Sequence, residues 1–169
     1  RACRPAHRDR PACAQAVEPR RMAKAKTGRK QQAASARALM AAVAHHGADR
    51  LDQAAAAYQR ILKAEPANAQ ALHLLGVVHH QQGDNEIAHD LISRALEIDP
   101  NYADAHGNMG HVLSALHRHA EALSHFTTAT VLEPTLAETH NNLGQGLQQA
   151  GRIDDAIDAT LLRETLTAL

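Results

Sequence analysis

The sequence predicts an all-α fold that is built from a repeated pair of helices. Residues of three types recur at a fixed step of 34 positions: Pro66, Pro100 and Pro134; Gly76, Gly110 and Gly144; Ala54, Ala88, Ala122 and Ala156. A fixed period of this length is typical of a repeat array. The composition agrees, because the chain has no Trp, one Phe and two Tyr, and its many Ala and Leu residues favour packed helices over sheets.

Each period divides into two helices, as the segment from Ala69 to Pro100 illustrates. Leucines at helical spacing indicate a first helix, and Gly83 followed by Asp84 and Asn85 predicts a break. The second helix is indicated by one apolar face, formed by Ala88, Leu91, Ile92, Ala95 and Leu96. Pro100 ends this helix because the residue before a proline is disfavoured in the helical region.

The periodic small residues predict where the two helices of a pair approach closely. Gly76, Gly110 and Gly144 lie inside first helices, where a glycine costs about 1 kcal/mol relative to alanine. We expect this cost to be tolerated because a larger side chain would collide with the second helix. Tyr58, Ile92 and Phe126, each four residues after a periodic alanine, are predicted to fill the larger gap.

The chain divides by charge into a basic arm and an acidic body. Ten Lys and Arg residues and only two acidic residues occur through Lys30, a balance of +8, so the remainder carries −8 in a chain of zero formal charge. We predict a disordered arm over residues 1–33 and a repeat domain over residues 34–169. Met22 is a plausible start, so residues 1–21 are alternatively upstream translated or added sequence. The two cysteines, Cys3 and Cys13, lie in the arm without a zinc or disulfide pattern.

The repeated residues match a known motif. They are Leu75-Gly76-x-x-His79, Ala88-x-x-x-Ile92 and Pro100 in the second period, Met109-Gly110, Ala122-x-x-x-Phe126 and Pro134 in the third, and Leu143-Gly144 and Ala156 in the fourth. This pattern resembles the tetratricopeptide repeat, in which Leu-Gly-x-x-Tyr, Ala-x-x-x-Phe and Pro recur with the same period. The first period is weaker, since Ala41 and Ala42 replace Leu-Gly.

The resemblance implies a right-handed α-α superhelix of three full repeats and one partial repeat. The repeats are expected at about residues 35–68, 69–102, 103–136 and 137–169. The fourth departs from the pattern, because Thr160 and Arg163 occupy positions where bulky apolar and small residues are expected, and position 168 is Ala rather than Pro. We therefore expect an array truncated from a longer one, with an uncapped C-terminal end that could mediate self-association.

The resemblance also implies a function, since first helices in this family line a concave groove that binds an extended peptide or a partner helix. The sequence therefore predicts a non-enzymatic scaffold that binds a protein or peptide partner. The predicted groove residues are Asn108, Asn142, Asn141, His73, His80, His111, Gln145 and Gln148.

Asn108 and Asn142 are one period apart, so they are expected to lie on one wall of this groove. An amide side chain both donates and accepts hydrogen bonds and can therefore grip a peptide backbone. Together with the run from His140 to Gly144, the pair resembles the repeat region of bacterial, SPINDLY-type O-linked N-acetylglucosamine transferases. The alternative function is thus the substrate-selecting front of such a glycosyltransferase. The alternative interpretation is that these asparagines are polar, solvated residues on helix faces without a binding role.

Thirteen histidines suggest a metal site, a pH switch or simple packing. Packing is favoured, because His79, His106 and His140 replace aromatic residues of the motif and no carboxylate or thiol completes a ligand set. No metal or cofactor is predicted. No serine lies in a G-x-S-x-G motif and no glycine-rich loop has phosphate-binding spacing, so no catalytic residue is predicted.

The remaining expectations concern partners and location. The basic arm has no aromatic residues for base stacking, and the repeats are acidic, so a nucleic-acid partner is not predicted. No segment has the roughly 18 consecutive apolar residues of a membrane span. The repeats contain no cysteine, which is typical of a reducing compartment, and a cytoplasmic location is predicted. The acidic body favours partners with basic segments.

Overall fold

The structure is a computed structural model that describes residues 18–151, 163 and 167, with side chains from residue 33 onward. Within these residues the regular structure is helical. The helices are α1 (Glu18–Gly47), α2 (Leu51–Ala64), α3 (Ala69–Gln82), α4 (Asn85–Ile98), α5 (Ala103–Ala115), α6 (His119–Leu132) and α7 (Ala137–Gln149). The chain divides into two compact units, Arg1–Arg37 and Ala38–Leu169. Helix α1 begins at Glu18, so residues 18–33 of the predicted disordered arm are helical, while the boundary between arm and domain stays a prediction.

In the second unit the helices pair in sequence order, as the period predicts. Helix α3 packs against α4 and α5 packs against α6, while α2, α4 and α6 each also contact the following helix. Pro66, Pro100 and Pro134 all lie in the turns between pairs. Before each proline, the preceding residue donates its N–H to a carbonyl four residues back, which closes the helix at Glu65, Asp99 and Glu133. The predicted all-α superhelix of helix pairs is confirmed.

The periodic glycines lie where the helices of a pair touch. A Cβ atom built on Gly76 would lie 2.6 Å from Ile92 Cγ1 and 3.2 Å from the Ala88 carbonyl oxygen. A Cβ on Gly110 would overlap the Phe126 ring, which Gly146 approaches from the next repeat. In the first repeat Ala42 takes the equivalent position and packs with Tyr58 in one buried cluster. The predicted close approach is therefore confirmed for the second and third repeats.

The turn inside each helix pair also follows the period. Asp49, Gly83, His117 and Gly151 occupy equivalent positions, and all four have positive φ angles, of 56°, 91°, 59° and 76° respectively. This left-handed conformation ends a helix at low cost for glycine and at higher cost for residues with a Cβ atom. The second helix predicted for the fourth repeat, with Ala156 and Thr160, lies outside the described residues. No helix in the described ranges is both long and apolar enough to cross a membrane.

Candidate functional site

The first helices of the pairs form the inner, concave layer of the repeat domain. Helix α5 contacts both α3 and α7, whereas the outer helices α4 and α6 leave an open cavity of about 320 Å³ between them. Because the inner helices are close together and the outer helices are farther apart, the stack of repeats bends so that the face formed by the inner helices is concave. The predicted groove residues lie on these inner helices.

Neighbouring inner helices meet with a constant offset of 35 positions in the sequence. His46 Nε2 donates to Gln81 Oε1 at 2.9 Å, and the Asn108 side-chain amide donates to His73 Nε2 at 2.9 Å. At the next interface, a Cβ atom on Gly107 would lie 3.5 Å from Asn142 Nδ2. In each of these three contacts a residue lies beside the residue one position before its equivalent in the preceding repeat.

His73 lies deeper than expected, at the centre of a buried hydrogen-bonded chain. It is 3% exposed, because α5 covers it with Tyr102 and Asn108. Since Nε2 accepts from Asn108, the ring proton lies on Nδ1, which donates to the Tyr102 hydroxyl at 3.0 Å. Burial lowers the pKa of His73 to about 4, against the raising influence of Asp104. The ring is therefore neutral at pH 7 and holds the Asn108 amide in one orientation.

Sequence reasoning missed Tyr102, the third member of this chain. It occupies the N-cap position of α5, where the equivalent Asn68 of α3 accepts a hydrogen bond from Ala71 N–H. Tyr102 makes no such cap, and its ring lies edge-on to His73 with centroids 4.8 Å apart. Burial and the nearby carboxylates of Asp104 and Asp99 raise its pKa to about 12. No periodic signal marks it, because the three equivalent residues are Asn, Tyr and Leu.

In the last interface Asn142 lies near His111 as well as Gly107, the residue equivalent to His73. Asn142 is 8% exposed. Burial lowers the pKa of His111, and a side-chain interaction with Asn142 partly offsets this effect. The His111 ring also lies edge-on to Phe126, with centroids 5.1 Å apart. The structure thus brings Asn142 beside His111 and Asn108 beside His73, so each amide lies against a histidine of the preceding inner helix.

The other predicted groove residues differ in exposure. Asn141 and His80 are half-buried, and His80 Nδ1 donates to Asn85 Oδ1 at 2.6 Å. Gln145 and Gln148, both on α7, are exposed. The groove face of the last two repeats is therefore rich in amides, of which the glutamines are the most accessible.

Histidines that replace the aromatic positions of the motif have a structural role. His106 Nε2 donates to the Pro100 carbonyl at 3.1 Å, and His140 Nε2 donates to the Pro134 carbonyl at 2.8 Å. These bonds tie each inner helix to the proline turn before it. His106 Nδ1 in turn accepts from His125 Nδ1 at 2.9 Å. Across the described ranges, no group of three or more His, Cys, Asp or Glu side chains is arranged to hold a metal ion.

Comparison with known proteins places these features in a family. Two sequence profiles, both of the tetratricopeptide repeat, match residues 39–103 and 91–124. Together they cover residues 39–124, just over half of the chain. The chain belongs to the tetratricopeptide repeat family.

Solved structures agree with this assignment. A crystal structure of MamA matches with a TM-score of 0.70 at 15% identity, covering 92% of this chain and 97% of that chain. PilF of Pseudomonas aeruginosa matches with a TM-score of 0.76 at 22% identity, covering 81% of this chain and 63% of that chain. MamA (residues 41 to the end) from Desulfovibrio magneticus RS-1 matches with a TM-score of 0.70 at 16% identity, covering 79% and 76% respectively.

At these identities the similarity shows the fold alone. No curated protein sequence matches the chain significantly. The resemblance of the asparagine pair to the O-linked N-acetylglucosamine transferases receives no support from these comparisons and stays a prediction.

Proposed function

We propose that the chain is a non-enzymatic interaction module whose concave surface binds an extended segment of a partner protein. The observation that carries this proposal is the concentration of amide side chains on the inner helices α5 and α7: Asn108, Asn141, Asn142, Gln145 and Gln148. Amides on successive inner helices can bond the N–H and C=O groups of a peptide backbone without selecting its side chains. The cytoplasmic location is part of this proposal.

The His73–Asn108 bond supports this use of the amides. Because the Asn108 nitrogen donates to His73, its carbonyl oxygen is directed away from that contact and can accept from a ligand N–H. A side chain held in one orientation loses little rotamer freedom on binding, which lowers the entropic cost of forming the complex.

The experiment that tests this proposal is a selection from a phage-displayed library of random peptides of about 12 residues, long enough to cross all four inner helices when extended. Selected peptides are then titrated by fluorescence anisotropy. The Asn108→Ala/Asn142→Ala variant should bind them at least about tenfold more weakly, a loss of about 1.4 kcal/mol. The matched control is Gln53→Ala/Gln59→Ala, which removes two exposed amides from the outer helix α2.

Circular dichroism melts should show that both double variants are folded at the assay temperature. Equal affinity of the selected peptides for the Asn108→Ala/Asn142→Ala variant and the wild type would contradict binding in the groove.

The second candidate function is the substrate-selecting front of a glycosyltransferase. It is favoured by Asn108 and Asn142, which are equivalent in adjacent repeats and lie on one concave face. Genomic sequence downstream of Leu169 distinguishes the candidates: a transferase domain in frame supports the second, and a stop codon followed by unrelated sequence rejects it. Self-association through the C-terminal end is a separate prediction, to be tested by the concentration dependence of the mass in light scattering.

A further inference from the structure

The groove face of each inner helix is a strip of residues spaced four and three apart, which project from the same side of a helix. In α3, α5 and α7 the strips are Gln70, Leu74 and Val77; Asp104, Asn108 and His111; Glu138, Asn142 and Gln145. The equivalent residues of α1 within the repeat domain are Met40 and Val43. These strips change in chemistry along the array.

The first two repeats present apolar side chains to the groove. Met40 is 73% exposed and Val43 is 45% exposed. Leu74 and Val77, at the equivalent positions of α3, are half-buried. Leu74 also packs in part against the buried cluster that contains Tyr58, so Met40 and Val43 are the most accessible of the four. Exposed apolar residues that are grouped on one face mark an interaction surface more often than scattered ones do. This half of the groove therefore favours apolar ligand side chains.

The last two repeats present amides and carboxylates at the same positions. Asp104 and Glu138, which lie one period apart in the first turns of α5 and α7, are both exposed. Their charges reach the groove, because Asp104 acts on His73 and Tyr102 while Glu138 acts on His111. This half of the groove therefore has a negative potential.

No Lys or Arg of α3, α5 or α7 compensates these carboxylates. Helices α3, α5 and α7 contain no Lys or Arg, and neither Asp104 nor Glu138 forms an ion pair with any residue that the structure describes. His73, the groove histidine affected by Asp104, is neutral at pH 7 because burial lowers its pKa. A Lys or Arg side chain of a ligand could thus form ion pairs with these two carboxylates without breaking an existing ion pair.

We propose that the groove binds a bipartite segment of a partner protein, with apolar residues against Met40, Val43, Leu74 and Val77 and with Lys or Arg against Asp104 and Glu138. This inference depends on the proposed function, since it specifies the ligand of the same groove. Four inner helices spaced about 10 Å apart span about 30 Å, which an extended segment of about nine residues covers. The segment is therefore short and linear.

The test uses fluorescein-labelled peptides of about nine residues. One has three leucines at its N-terminal end, a glycine-serine centre and three lysines at its C-terminal end, and a second has the reverse order. In two control peptides the leucines are replaced by serine or the lysines by glutamate. At least one of the leucine-lysine peptides should bind the full chain, and both replacements should weaken that binding by about tenfold or more.

Variants of the protein identify the surface that is responsible. Asp104→Asn/Glu138→Gln should weaken binding of the leucine-lysine peptide about tenfold and flatten its salt dependence. Asp90→Asn/Glu97→Gln, which makes the same charge change on the outer helix α4, should leave binding unchanged. Met40→Gln/Val43→Thr should weaken it, whereas Val131→Thr, at a 74% exposed site of α6, should not. All substituted side chains are exposed, so these variants are expected to fold.

The outcomes separate this inference from the proposed function. Failure of both leucine-lysine peptides to bind at about 1 mM would overturn the bipartite ligand. So would binding that is insensitive to Asp104→Asn/Glu138→Gln. If the library selection yields peptides that depend on Asn108 and Asn142 but carry neither apolar nor basic ends, the bipartite ligand is rejected and groove binding is retained.

Discussion

Repeat 2 (residues 69–102) and repeat 3 (residues 103–136) have the same backbone plan but fill it differently. Their helices begin and end at equivalent positions within one or two residues. Among the equivalent residues that differ in chemistry are three pairs at helix contacts and turns: His73 and Gly107, Ile92 and Phe126, and Gly83 and His117. The comparison shows that residues conserved between the two repeats determine the path of the backbone. Residues that differ between them determine which side-chain contacts form at each interface.

The inter-repeat contacts show this difference most clearly. Repeat 2 contributes a buried histidine that bonds both Tyr102, at the boundary between the two repeats, and Asn108 of repeat 3. Repeat 3 contributes Gly107 at the same position, and Asn142 lies against the space this glycine leaves. A polar, titratable contact therefore joins repeats 2 and 3, and a small residue allows close packing between repeats 3 and 4.

The largest effect is expected from the titration of His73. Its folded pKa of about 4 lies below the ordinary value of 6.5, because the ring is buried. Between these values the unfolded chain binds a proton that the folded chain does not, so the stabilisation is complete above about pH 6.5 and is lost as the pH falls toward 4. We expect a loss of about 2–3 kcal/mol between about pH 7.5 and pH 4.5.

The measurement is urea unfolding across this pH range for the wild type and for His73→Gln, which keeps a polar side chain but cannot titrate. His111 and His125, whose pKa values are also lowered by burial, contribute equally to both proteins. The wild type should therefore lose more stability than the variant on acidification. If both proteins lose the same unfolding free energy on acidification, the titration of His73 does not cause the pH dependence.

The second-largest effect is expected from enlarging the glycines at the helix contacts inside the two repeats. Gly110→Ala should destabilise the protein by about 2 kcal/mol, because the new Cβ atom would overlap the Phe126 ring. The ring cannot easily move away, since Gly146 of the next repeat also packs closely against it. Gly76→Ala should cost less, since the aliphatic Ile92 can adjust by rotation. Thermal or urea unfolding gives both values.

A double-mutant cycle with Phe126→Leu provides the control. In that background Gly110→Ala should cost clearly less than in the wild type, because the rigid ring is gone. An additive result would mean that the glycine is needed for a reason other than contact with this ring.

The smallest effect comes from the turns inside the repeats. His117 has a φ of 59°, where the equivalent Gly83 has a φ of 91°. His117→Gly should stabilise the protein by about 0.5–1 kcal/mol, since glycine adopts this conformation without a Cβ penalty. Gly83→Ala should have the opposite sign. Equal melting temperatures for His117→Gly and the wild type would show that this turn carries no strain.

Much of the fold could be predicted from the sequence, because the repeat is local. Pro66, Pro100 and Pro134 mark the turns, and Gly76 and Gly110 mark the helix contacts, since each acts through neighbours within its own repeat or at its boundary. The positions of Asn108 and Asn142 on one face follow from the same period. Peptide binding at these residues stays a prediction.

The candidate site could be predicted only in part. The sequence predicts His73 as a groove residue, yet it is 3% exposed, because burial depends on the side chains that the next inner helix places over it. Tyr102 was missed, since an N-cap position carries no signal for a contact with a histidine of the preceding inner helix. Similarly, the sequence predicts packing for His106 and His140 but not their bonds to the proline carbonyls.

The sequence by itself determined the family and the register of the helix pairs. Each of these depends on backbone geometry that recurs once per period. Only the tertiary structure decided the offset between neighbouring inner helices, the neutral state of His73 and the unpaired carboxylates of Asp104 and Glu138. The physical reason is that burial, protonation and charge pairing depend on side chains that neighbouring repeats bring together, and those side chains are not periodic.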